Sequence, residues 1–139
     1  MITSSRVLAV VLFVMTVFVV PIEADYLDMY VPLEVCEIIL KDERIIEYLH
    51  LDEPGRTPVP LSAAFVHPDL TSRHLGYPIK VVPAESGEAD SAFQFVKLTK
   101  SQDRIEVELV YPIEGVAGLF VLVHQGDTWV IEKRTLWEQ

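Results

Sequence analysis

The chain has 139 residues, half of them hydrophobic, and its 21 acidic and 11 basic side chains give a formal net charge of −10 at pH 7. Nucleic acids and anionic membrane surfaces require a clustered basic surface, so the composition argues against both as partners. The single cysteine, Cys36, excludes an internal disulfide, and its apolar neighbours predict a buried, unreactive thiol.

The N-terminal segment has the three-part pattern of a secretory signal peptide. One positive charge precedes an apolar run at 7–20, and Ile22 and Ala24 stand at the minus-three and minus-one positions of a cleavage site. A helix of that length rises about 21 Å, short of a hydrocarbon core of about 30 Å, so we expect no stable membrane insertion. The sequence predicts an exported protein, periplasmic or secreted, with a signal peptide at 1–24. An uncleaved anchor is the alternative.

The remaining residues, 25–139, suit one domain. Hydrophobic residues recur at helical spacing through 31–51, where Val35 and Ile39 belong to one stripe. A polar break in this stretch leaves one bent helix or two helices in tandem, because Asp42 suits the cap of a second helix. A Pro-Gly turn then ends the helical region.

The next part of the chain is predicted to be extended. Residues 61–67 and 79–83 are short strand candidates, and the polar stretch between them is predicted to be a loop. From residue 92 the hydrophobic period changes to two, which predicts four strands joined by short turns. These strands lie within 92–100, 104–111, 118–124 and 128–137.

Four consecutive strands with short turns form an antiparallel meander, and the helical stripe needs one apolar face of that sheet. Both alternating sets are apolar in "GLFVLVH", which predicts a central strand covered on both sides. We therefore expect an α+β fold, in which one N-terminal helix, or two short helices, packs on a curved antiparallel sheet of about four to five strands.

The element order resembles that of the cystatin-like and nuclear-transport-factor-like α+β domains. The stretch "YPIEGVAG" followed by "GDTWVIE" is similar to the last long hairpin of such domains. The resemblance implies a cone-shaped sheet. It implies no activity, because members of this group include enzymes, binding modules and inert partners.

The polar loop holds residues of the types that most often form metal sites and acid/base pairs. His67, Asp69 and His74 are of the types that bind zinc, but the two histidines are seven residues apart and have no helical spacing. We therefore predict no metal site there. Tyr111 and Glu114, beside a glycine-containing bend, are further candidates for a binding site with that loop.

Other catalytic and cofactor signals are weak. Ser62 and Ser72 lie near the histidines in sequence, but neither stands in a Gly-x-Ser-x-Gly elbow. No Gly-rich phosphate loop or dinucleotide fingerprint occurs, so we expect no cofactor and no catalytic residue. Trp129 and Trp137 share one face of the last strand if no bulge intervenes, and an exposed Trp137 is a candidate anchor for a partner.

Three functions follow from these patterns. The first is a small exported, non-catalytic domain that binds an unidentified protein or assembly in the cell envelope or outside the cell. The second is a pocket in the sheet that binds or hydrolyses a small molecule with the His67 to His74 loop, and the third is a metal carrier. A pocket that joins this loop to Tyr111 favours the second, whereas a filled interior with an exposed apolar patch favours the first.

Overall fold

A computed structural model describes residues 29–139 of the chain. The predicted signal peptide, 1–24, and the first four residues of the predicted domain lie outside the described residues. None of the helices at 29–139 has the length and apolar character needed to cross a membrane.

The described residues form an α+β fold, as predicted. The helices are α1 (Leu33–Leu40), α2 (Glu43–Leu49) and α3 (Ser72–Leu75), and 3-10 turns lie at Gly87–Asp90 and Pro112–Glu114. The strands are β1 (Val59–Ser62), β2 (Ile79–Val82), β3 (Gln94–Lys100), β4 (Arg104–Tyr111), β5 (Val116–Gln125) and β6 (Thr128–Glu138).

The predicted helical stretch forms two helices in tandem. Asp42 begins α2 as its cap, and its carboxylate accepts a hydrogen bond from the Arg44 backbone N–H at 3.1 Å. This bond satisfies one of the N–H groups that lack a partner at a helix start. This helix ends at Leu49, and the residue that caps it, His50, has a left-handed φ of 49° that turns the chain away.

The last four strands form one antiparallel sheet in the order β3-β4-β5-β6, which confirms the predicted meander. The other two strands form a separate parallel pair, β1-β2. The first of these strands was predicted at 61–67, and this position was wrong, because β1 begins at Val59 and ends at Ser62. Beyond it the chain turns, with the Val66 backbone N–H donating to the Ala63 carbonyl at 3.3 Å and Phe65 at a φ of 62°.

Both tandem helices cover one face of the four-stranded sheet, which we call the inner face. Val35 and Ile39 of α1 are fully buried in the same hydrophobic cluster as Phe120 of β5. Polar contacts hold the helices to β6. The Thr128 hydroxyl donates to Glu34 Oε1 at 2.6 Å, and an ion pair joins Arg134 to Asp42. The opposite face of the sheet is here called the outer face.

Each edge strand of this sheet contains a β-bulge. In β3 the register shifts between Phe95 and Lys97, so Val96 has no partner in the ladder. In β6 Lys133 pairs with Val121 and Ile131 pairs with Leu122, which leaves Glu132 as the extra residue. Because side chains alternate between faces along a strand, each extra residue reverses the alternation that follows it.

Candidate functional site

The histidine loop is stabilised by local hydrogen bonds. The Asp69 backbone N–H donates to Nδ1 of His67 at 3.1 Å, and the Asp69 carboxylate lies 4.0 Å from the same nitrogen. His74 takes part in a capping box, in which the Thr71 backbone N–H donates to Nδ1 of His74 at 3.0 Å. Each histidine therefore has a local structural partner at the turn in which it stands.

These two histidines belong to no ligand cluster. Within residues 29–139, no group of three or more histidine, cysteine, aspartate or glutamate side chains is arranged to hold a metal ion. The candidate serines also have structural contacts. The Ser72 hydroxyl accepts a hydrogen bond from the Ile79 backbone N–H at 3.0 Å, and the Ser62 hydroxyl accepts one from Ala64 at 3.4 Å.

Tyr111 and Glu114 come together around Arg56. Nη2 of Arg56 lies 2.6 Å from Oε1 of Glu114 and also donates to the Tyr48 carbonyl at 3.3 Å. The guanidinium lies 6.0 Å from the centroid of the Tyr111 ring. Burial lowers the pKa of the Arg56 guanidinium, but interactions with Tyr111 and Glu114 outweigh this effect and leave that pKa raised.

The Tyr111 ring fills space in the core. It is 1% exposed, and its centroid lies 5.7 Å from that of Phe93, which in turn makes an edge contact with Phe95 at 5.8 Å. Aromatic contacts at these separations are stabilising. This side chain is therefore a packing element and does not line an open cavity.

Two further side chains surround Glu114 at the surface. Nε2 of His50 lies 3.4 Å from Oε2 of Glu114, and Nδ1 of His50 lies 3.4 Å from Glu53, which also reaches Arg56 at 3.5 Å. The cluster ties the end of α2 to the connection between β4 and β5. Sequence analysis missed Arg56, because a single arginine after a Pro-Gly turn belongs to no periodic pattern.

The outer face has an apolar column along its central strand. Register and alternation place four β5 side chains on this face: Ala117, Leu119, Val121 and Val123. None of them belongs to a hydrophobic cluster of residues 29–139. We expected this strand to be covered on both sides. The helices cover its inner face. Among residues 29–139, flanking side chains of the sheet shelter the outer column, and they leave Ala117 and Val121 only 3% and 2% exposed.

Charged and polar side chains flank this column on both sides. Glu106 of β4 and Lys133 of β6 lie on either side of Val121, and Glu108 and Thr135 lie on either side of Leu119. A groove that is open to solvent lies over β3, β4 and β5. Its lining consists of Lys97, Thr99, Glu106, Glu108 and Leu119.

The bulge at Glu132 separates the two tryptophans. Trp129 pairs with His124, their rings lying 4.9 Å apart, and it packs against the core from the inner face. Trp137 pairs with Ala117 and therefore lies on the outer face, where it is 44% exposed. The outer face thus combines an aliphatic column, an exposed tryptophan and charges of both signs.

Comparisons with known proteins gave no match. No protein-family model matches the sequence, and no curated protein or solved structure shows a significant similarity to it. The resemblance to cystatin-like and nuclear-transport-factor-like domains accordingly stays an expectation about fold shape.

Proposed function

We propose that the protein is a non-catalytic binding domain that acts after export, in the cell envelope or outside the cell, and binds another protein chain through its outer face. The observation that carries the proposal is the apolar column on β5. Ala117, Leu119, Val121 and Val123 lie on the solvent side of the sheet without an apolar layer from residues 29–139 above them. Leu119 and Val123 are partly exposed, whereas Ala117 and Val121 are 3% and 2% exposed beneath the flanking side chains. Apolar surface rimmed by polar side chains is typical of protein interaction sites.

The residues of the alternative pocket have structural roles instead. His67 and His74 hold local turns, Tyr111 fills the core, and Glu114 is paired with Arg56. A small-molecule site requires polar groups that converge on an open cavity. These side chains make separate structural contacts instead, which favours the binding function over the pocket.

Trp137 supplies an anchor of the kind that interfaces use. Tryptophan is enriched among the residues that dominate binding energy, since its large ring buries much area at small entropic cost. Trp137 stands beside Ala117 at one end of the apolar column. Its exposed ring extends the column across β6.

Site-specific photocrosslinking in the native host tests the binding surface. A photoreactive phenylalanine derivative replaces Thr135 on the outer face, and in a matched variant it replaces Glu47, which is exposed on α2. We expect a protein adduct after illumination at Thr135 and none at Glu47. No adduct at Thr135, or equal adducts at both positions, contradicts the proposal.

Export is tested on the same preparations. The chain is recovered from the compartment outside the cytoplasm, and its first residues are sequenced. We expect it to begin at Asp25, directly after the predicted cleavage site. A chain that begins at Met1, or that fractionates with the cytoplasm, contradicts this part of the proposal.

A further inference from the structure

We infer that the chain bound at the outer face is a second copy of this protein, packed face to face about a two-fold axis that runs along β5. The inference rests on the proposed function, because it names the occupant of the same surface. It is argued from the distribution of charge, the position of Trp137 and the form of the sheet edges.

Opposite charges stand level with each other across the apolar column. Glu106 of β4 lies level with Lys133 of β6, since both pair with Val121 in the ladder. Nearer the turn between β5 and β6, Nη1 of Arg104 in β4 lies 2.8 Å from Oε2 of Glu132 in β6. At both levels an acidic side chain on one side of β5 therefore lies opposite a basic side chain on the other.

A two-fold axis along β5 places β4 of one copy over β6 of the other and keeps each row of side chains level. Lys133 of each copy then faces Glu106 of the other, and Val121 faces Val121. A two-fold axis across the strands would instead stack the glutamates of β4 on each other. The face is thus self-complementary in the first arrangement, as a two-fold interface requires. Strands of the two sheets stay roughly aligned, the common geometry of packed sheets.

The end row of the face fits the same arrangement. Val110, Ala117 and Trp137 lie in one row across β4, β5 and β6. The axis along β5 places Trp137 of each copy over Val110 of the other. A tryptophan that is 44% exposed in one copy is therefore covered by an aliphatic side chain in the pair.

The sheet edges are less suited to association than the face. A regular edge strand can pair with another chain through its free backbone groups, and bulges and charges hinder such pairing. Both edge strands here contain a bulge, at Val96 and at Glu132. Three charged residues in succession, Glu132, Lys133 and Arg134, add to this protection in β6.

The size of the overlap limits the expected affinity. An axis along β5 superposes β4, β5 and β6 of the two copies and leaves β3 outside the contact. With strands ~4.8 Å apart and a rise of ~3.3 Å per residue, three strands of eight residues span about 380 Å². Two such faces bury about 760 Å² together, in the range of weak, transient interfaces. We therefore expect a dissociation constant on the order of 100 µM.

Sedimentation velocity of the full chain, over concentrations up to about 100 µM, measures the association. We expect a concentration-dependent dimer that Lys133→Glu weakens at least about tenfold, because two acidic side chains then face each other. Arg73→Glu makes the same change of charge on α3, away from the sheet, and we expect it to leave the dimer intact. A wild-type chain that stays monomeric, or a dimer that Lys133→Glu leaves unchanged, overturns the inference.

A mixing experiment tests the pairing itself. Lys133→Glu makes both positions of the pair acidic, and Glu106→Lys makes both basic. We expect each variant alone to be mostly monomeric and an equimolar mixture to form a mixed dimer at least as tight as the wild type. A mixture that stays monomeric while the wild type dimerises overturns the inference.

The two proposals fail separately. If the photocrosslinked adduct at Thr135 contains a different protein and the purified chain is monomeric, the proposed function stands and the second copy is excluded. If the chain dimerises but the adduct forms equally at Glu47, the outer face is not the binding surface and both proposals fail.

Discussion

Arg56 and Glu114 join two distant parts of the chain through a contact of 2.6 Å between Nη2 and Oε1. Their side chains are only 17% and 21% exposed. Nε of Arg56 is buried without a hydrogen-bond partner, whereas Nη2 contacts both Glu114 and the Tyr48 carbonyl oxygen. The charge of the guanidinium is therefore compensated at its Nη2 end. The pair connects the turn that follows α2 to the 3-10 turn between β4 and β5.

Removal of the Glu114 carboxylate is expected to destabilise the protein. Glu114→Ala leaves the largely buried Arg56 cation without its closest partner, and we expect the free energy of unfolding to fall by about 2 kcal/mol. Urea denaturation measures the change. The matched control is Glu53→Ala, whose carboxylate is 59% exposed and lies 3.5 Å from Arg56. We expect less than about 1 kcal/mol there, and equal losses in both variants would contradict this role for Glu114.

Gly118 stands where β5 and β6 approach closely. A Cβ at this position would overlap Cδ2 of Leu136 and would lie 3.2 Å from the Thr135 carbonyl oxygen. The leucine must move, but the backbone oxygen on the neighbouring strand cannot move freely. We expect Gly118→Ala to lower the free energy of unfolding by about 1–3 kcal/mol, measured by chemical denaturation.

Gly87 provides the control for this substitution. It lies in the first 3-10 turn, and no heavy atom lies within 4 Å of the position that a Cβ would occupy there. Gly87→Ala is expected to be neutral or to stabilise by up to about 1 kcal/mol, because alanine reduces the freedom of the unfolded chain. A tolerated alanine at Gly118 would show that the two strands can separate locally.

The thiol of Cys36 is predicted to be unreactive in the folded state. The residue is fully buried and its Sγ lies 3.5 Å from the Val31 carbonyl oxygen. Burial raises the pKa of the Cys36 thiol from 9.0 to about 11. At pH 8 we expect alkylation at least about 100-fold slower than in the denatured chain, followed by mass spectrometry. Equal rates in the two states would place the thiol at the surface.

The same pKa shift makes stability depend on pH. The folded chain retains the Cys36 proton up to about pH 11, whereas the unfolded chain releases it near pH 9.0. The contribution of the thiol is therefore complete below pH 9 and is lost as the pH rises. Between these values we expect the wild type to lose stability more steeply than Cys36→Ala, by at most about 1.4 kcal/mol per pH unit.

The two tryptophans are expected to differ in solvent access. Trp129→Phe leaves Trp137 as the only tryptophan emitter, and Trp137→Phe leaves Trp129. At low protein concentration, acrylamide should quench Trp137 more strongly, because that ring is exposed and the Trp129 ring packs on the core. In the Trp129→Phe chain, quenching should decrease as the concentration rises, since association covers Trp137. Equal quenching of the two tryptophans at low concentration would contradict the position of Trp137 on the outer face. Quenching of Trp137 that does not change with concentration would contradict its burial in a dimer.

Local periodicity in the sequence predicts much of the fold. The alternation of apolar and charged residues predicts β4 at its observed bounds, because it runs through all of Arg104–Tyr111. Asp42 indicates the cap of a second helix, and the structure has one there. The parallel pairing of β1 with β2 was not predicted, because strands of four residues show too little alternation to reveal a partner.

The candidate site was predicted less well. Tyr111 and Glu114 do lie together, but their common partner, Arg56, comes from a turn that has no pattern. The histidine loop attracts attention by residue type alone, and hydrogen bonds of its own turns account for His67 and His74. The outer face depends on two bulges and on strand register, which are fixed by pairing between strands and not by any single segment.

The extra residue at Glu132 lets two tryptophans that are eight residues apart lie on opposite faces of β6. Deleting that one residue would remove the bulge and leave Trp129 and Trp137 seven residues apart, a spacing that places them on opposite faces of a regular strand as well. The outer face would keep Lys133, Thr135 and Trp137 and would lose the carboxylate that binds Arg104. Homologous chains with one residue fewer between the two tryptophans would therefore present the same aromatic anchor to solvent.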